Sequence, residues 1–412
     1  MPRDLTTSSQ PTPRRATVAA LVLVAAAAGA LPTRPALAQQ QAEATLPDNL
    51  RRSDNPASQQ AAINAFVAAQ VEKFQAGDPA EVAEAAAALT GATAGASAPF
   101  LEAYGRAVAE GTAGLFGGNN ATPAPMPARL AVAVTLDAVA NTSPGPRLLE
   151  PTQRLLGDPH PGVALWGIGM VRPLAIVSVR QNLPDQDPLI NALVAAVKAH
   201  PDEGHVAHAA YEVLRDLGGA GFGRGGSVAL PSANVPQVIC ATLDLVEFRL
   251  AEYGPPSAGE ALAQTPADPV AERPATQLLA SGNLFAGLDA ETKTRVRRAL
   301  RGLAAGSGEA AARAAEALAG QAEPAERDRY LRVRDENRAM LVAAAQAFQL
   351  IASNNFDAKP AVAAAAGQLA GLQRGANGQL LRDNTAALLE AIDAAYPELA
   401  PAEASAQAPA AE

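Results

Sequence analysis

From residue 60 onward, apolar residues recur every three or four positions, and the stripes they draw are helical. Ile63, Phe66, Val67, Val71 and Phe74 share one face of a first helix, because side chains three and four apart stack on an α-helix. Gly77-Asp78-Pro79 closes that helix and opens the next. Aspartate is a good N-cap, and proline fits the first helical position. Leu189, Leu193, Val194 and Val197 draw another stripe. Val206, Ala210, Val213, Leu214 and Leu217 draw a third, and Val235, Ile239, Leu243, Val246 and Leu250 its mate. Further helices are predicted over 289–305, 309–319 and 324–354, where Tyr330, Asn337, Leu341, Ala344, Phe348 and Ile351 share a face. Two more follow, the last with Leu381, Leu388 and Ile392. Only 174–179, β-branched and placed after Pro173, also fits a short strand; a helix kinked at Pro173 is the other reading.

Composition strengthens the all-α reading. Of 412 residues, 49% are hydrophobic but only 4% aromatic, and alanine dominates the apolar set. Alanine loses no side-chain entropy on entering a helix, yet buries little area. Stability must therefore come from many close helix contacts.

The first 38 residues carry the marks of an export leader. Arg14 and Arg15 precede an uncharged apolar run from Ala16 to Leu31, and Ala36-Leu37-Ala38 has the small-x-small form of a cleavage site. The run is short for a membrane span, which needs about 20 residues, and no later segment is expected to cross a bilayer. Cleavage between Ala38 and Gln39 is expected, leaving an exported chain, periplasmic or extracellular. Loss of four arginines and one aspartate shifts the formal charge from −9 to −12. That sign argues against nonspecific nucleic-acid binding.

The mature chain divides by composition. Residues 39–55 read as a flexible lead-in, 56–253 as a helical-repeat-like region, 254–274 as a proline-rich linker, 275–396 as a C-terminal helical region and 397–412 as a disordered tail. The turn markers at 78, 158 and 200 stand 80 and 42 residues apart, a period of about 40 with one degenerate unit.

The segments Asp78-Pro79-Ala80-Glu81-Val82, Asp158-Pro159-His160-Pro161-Gly162-Val163 and Pro201-Asp202-Glu203-Gly204-His205-Val206 resemble HEAT-type helical repeats over about residues 78–250. The resemblance implies antiparallel helical hairpins stacked into an α-solenoid. Such repeats often carry arginine after the valine, where this chain has Ala83, Ala164 and Ala207. An irregular helical array is therefore the alternative.

Candidate chemistry is sparse. His200, His205 and His208 are three of the four histidines, and Glu212 lies one turn beyond His208. That set could hold a divalent metal, although no H-E-x-x-H motif is present. Lys293, Arg297 and Arg301, with Arg298 beside them, form a basic stripe that could meet an acidic partner. The charged run 326–338 reads as a solvated face with pairs such as Asp328 to Arg332. Cys240, the single cysteine, sits in an apolar stretch and reads as a small core residue. Gly221, Gly223 and Gly226 fit G-x-G-x-x-G, but they follow a helix and open none, so a loop is expected rather than a phosphate site. No cofactor is implied. The expected function is a noncatalytic exported scaffold that binds another protein or peptide. The alternatives are a metal-binding or enzymatic factor built on His200–His208, and a structural cell-envelope component.

Overall fold

The computed structural model describes residues 46–117, 123–180, 186–219, 235–252, 269–320, 324–353, 359–372 and 375–400. Of these, 84% are helical, and no strand occurs among them. The expected leader and its expected cleavage pair Ala36 and Ala38 lie outside the described residues, as does the Gly221–Gly226 motif.

Sixteen α-helices are described: α1 Asp48–Arg51, α2 Gln60–Ala76, α3 Pro79–Gly91, α4 Ala98–Gly111, α5 Met126–Thr142, α6 Leu149–Leu156, α7 Pro161–Arg180, α8 Gln186–Ala199, α9 Gly204–Leu217, α10 Val235–Glu252, α11 Arg273–Leu279, α12 Gly282–Ala286, α13 Ala290–Ala319, α14 Pro324–Ser353, α15 Pro360–Ala370 and α16 Gly378–Ala395. The α2–α3 corner forms as its residues dictate. Gly77 takes a left-handed φ of 76°, and the Asp78 carboxylate accepts from the N–H groups of Ala80 and Glu81 at 2.8 and 3.2 Å. The segment 174–179 is helical, because α7 runs through Pro173.

Packing follows chain order in the first part. Helix α2 lies on α3 and α4, α3 and α4 on α5, α5 and α6 on α7, and α7 on α8 and α9. The second part closes on itself: α13 packs on α14, α14 on α15, α15 on α16 and α16 back on α13. This is the contact cycle of a four-helix bundle. Small residues allow its close approach, since a Cβ on Gly308 would stand 2.5 Å from the Thr385 side chain. Most of the stripe residues foreseen from sequence are buried, with Leu214, Leu243, Val246, Leu341, Phe348 and Leu388 all at 0% exposure, while Val71, Val194, Val235, Leu250 and Tyr330 are half-buried.

Three boundaries differ from the sequence reading. Leu46 and Leu50 of the expected lead-in are buried, and the Arg51 guanidinium donates to the carbonyls of Gly91 and Ala94, capping α3. The end of the expected linker is packed structure: a 3-10 turn Pro269–Glu272 leads into α11, Ala271, Glu272 and Pro274 are buried, and the segment touches α9, α10 and α14. Its prolines start helical turns, where a missing N–H costs nothing. At the C-terminus, Pro397–Leu399 forms a 3-10 turn with Leu399 buried; 401–412 lie outside the described residues.

Helix α7 departs from the sequence reading in length and apolarity. Its window Pro161–Ser178 is long and apolar enough to cross a bilayer, with mean hydropathy 1.3. Half of that window is buried within the fold, where α7 packs on α5, α6, α8 and α9.

Candidate functional site

The most developed polar feature runs along the turns of the first part. The Arg129 guanidinium, at the start of α5, donates Nε to Asp158 Oδ2 at 2.7 Å and Nη2 to Oδ1 at 3.1 Å. Its Nη1 donates to the Ala124 carbonyl at 2.5 Å. Asp158 also accepts from the His160 N–H, and its own carbonyl meets His200 Nε2 at 3.1 Å. One residue on, the Pro201 carbonyl accepts from Arg249 Nη1 at 3.0 Å, and Arg249 Nε pairs with Glu272. Arg129, Asp158, His200, Arg249 and Glu272 are all buried. These groups tie the turns at 124, 158, 200 and 272 together in chain order. A buried ion pair needs such additional hydrogen bonds to offset its desolvation.

The four proposed metal ligands do not converge. His200 is engaged with Asp158 inside the turn network. His205 is exposed and pairs with Glu203 at 3.1 Å, while His208 Nε2 lies 3.7 Å from Glu212. Among the described residues, no three His, Cys, Asp or Glu side chains are placed to share an ion. The i,i+4 spacing brings His208 and Glu212 together, as a helix must, but the turn at 200 takes the third ligand elsewhere.

The basic stripe is largely used within the chain. Lys293 donates to the Ala286 carbonyl at 3.1 Å and lies 5.9 Å from the Phe285 ring centre. Arg297 stacks between Phe285 and Tyr396, at 5.5 and 4.5 Å from their centres. Arg301 makes a two-pronged pair with Asp393, both bonds 2.7 Å, joining α13 to α16. Arg298 is the exposed member. In the α14 run, Arg334 pairs with its neighbour Asp335, and Arg338 donates to the Leu372 carbonyl at the end of α15. The expected Asp328–Arg332 pair does not form.

Cys240 is half-buried, and burial pushes its thiol up, away from the reactive thiolate. Sequence reasoning missed Arg129, Arg249 and Glu272. A signal was present for Arg249, which falls three residues after Val246 on the buried stripe of α10. A charge at a core position announces a partner, but nothing local says which one. No protein-family model, curated protein or solved structure matches this chain.

Proposed function

We propose that the protein is an exported, noncatalytic helical scaffold that holds another protein or peptide along its stacked helices. The network from Arg129 to Glu272 carries this reading. It fixes successive turns through buried groups. Turns linked in chain order are what helical hairpins stacked in a HEAT-like manner require, and such arrays serve as extended binding surfaces. The acidic balance of the chain favours a protein or peptide partner over nucleic acid. Engagement of His200 by Asp158 weighs against the metal-centred alternative.

The test is capture of the mature chain, residues 39–412, with its neighbours by crosslinking in the native envelope. Titration of the purified captured protein follows. Saturable binding by that protein supports the scaffold. Absence of any saturable partner, together with stoichiometric zinc in the purified chain, would replace it with the metal-binding alternative. N-terminal sequencing of exported material should start at Gln39.

A further inference from the structure

Cations gather on two aromatic rings where α13 and α15 begin and α16 finishes. Arg297 of α13 sits between Phe285 of α12 and Tyr396, its guanidinium carbon 5.5 and 4.5 Å from their centres. Lys293, one turn earlier on α13, places Nζ 5.9 Å from the centre of Phe285. Lys359, just before α15, places Nζ 5.7 Å from the centre of Tyr396. Both rings are 4% exposed, so the cations rest on an enclosed base. Arg298 stands beside them, exposed.

These contacts orient the charges without cancelling them. An aromatic face attracts a cation through its quadrupole and carries no net charge. Lys293 also donates to the Ala286 carbonyl at 3.1 Å, again a neutral partner. Among the described residues, no carboxylate oxygen lies within 4 Å of Lys293, Arg298 or Lys359. Nearby acids are engaged elsewhere: Asp393 with Arg301, and Asp289 with the Thr292 N–H and hydroxyl. Glu291 and Glu398 are exposed and form no ion pair among the described residues. Lys359 is moreover the N-cap of α15, where the helix dipole adds positive potential. A chain of net charge −9 thus concentrates positive charge at this end of the bundle. Like charges held close repel one another, and an external anion relieves that cost.

We infer that this surface binds an acidic peptide segment of the partner, with its carboxylates over Lys293, Arg298 and Lys359. The inference rests on the scaffold reading and names the chemistry of what the scaffold holds. Cations contributed by two separate elements match carboxylates spaced along a chain, and such complementarity fixes orientation as well as choice of partner. A long polyanion would also run over the acidic remainder of the molecule and be repelled there. A short acidic stretch within a protein meets the basic surface alone.

Titration of the full chain with a synthetic oligoglutamate peptide tests this. Binding should saturate, and should weaken as salt is raised. Lys293→Gln with Lys359→Gln should weaken it by about tenfold. The control pair Arg327→Gln with Arg332→Gln removes the same charge from the exposed start of α14 and should leave it unchanged. Arg298→Glu, at an exposed position, should also weaken binding, and melts of every variant establish that it is folded. No saturable binding overturns the inference. So does equal weakening by the control pair, which would reduce the effect to net charge, or tighter binding of inorganic polyphosphate than of the peptide. A crosslinked partner that binds saturably and is insensitive to Lys293→Gln with Lys359→Gln leaves the scaffold standing and overturns this surface alone.

Discussion

His200 Nε2 stands 3.1 Å from the backbone oxygen of Asp158, joining two turns 42 residues apart. The ring is buried, so the contact is shielded from water on the His200 side. Removing it leaves a carbonyl with one partner fewer in a place where water replaces it poorly. His200→Ala should therefore cost about 1–3 kcal/mol. His205→Ala, on an exposed side chain, should cost under about 0.5 kcal/mol. Urea melts of the two variants measure this, and equal costs would show that the turn network does not bear on stability.

Glu272 and Arg249 make the most enclosed ion pair described, with side chains 1% and 3% exposed. Truncating one partner takes a counter-charge from a buried ion. Glu272→Ala should cost about 3–5 kcal/mol, whereas replacing both partners with apolar residues of similar volume should recover most of it. A double-mutant cycle by denaturant melting reads both numbers.

Leu214 is fully buried on α9, so truncating it leaves a void in the core. Leu214→Ala should cost about 2–5 kcal/mol. The next residue, Arg215, bonds Asp216 and reaches Gln277 of α11 at 3.3 Å. Its replacement by alanine should cost under about 1 kcal/mol, because the pairs it makes are partly solvated. The ratio of the two losses, taken from matched melts, checks the register of α9.

Asp289 caps α13, its carboxylate accepting from the Thr292 N–H and hydroxyl, each at 2.8 Å. These bonds hold its carboxyl below the usual aspartate range. A depressed carboxyl stabilises the fold above the unfolded-state value, and that contribution is lost as pH falls through the folded one. Asp289→Ala should lower the melting temperature at pH 7, and the gap to the unaltered chain should close on acidification. Asp289→Asn, which also caps, should narrow the gap at pH 7. Melts between pH 2 and 7 decide it.

The amino-acid sequence by itself determined the helices, their buried faces and several of their ends. Periodicity placed Ile63, Phe66 and Phe74 on one face, and Asp78-Pro79 marked a corner, because these signals act over three or four residues. It also drew His200, His205, His208 and Glu212 into one cluster, since proximity along a chain is all a sequence displays. Only the tertiary structure decided the partners. His200 belongs to Asp158, Arg249 to Glu272 and Arg301 to Asp393, over separations of 42, 23 and 92 residues. Leu46, Glu272 and Leu399 were buried by surfaces brought in from elsewhere in the chain. Burial is a property of the assembled surface, and an ion pair forms where that surface excludes water. Neither can be read from the spacing of residues along one strand of sequence.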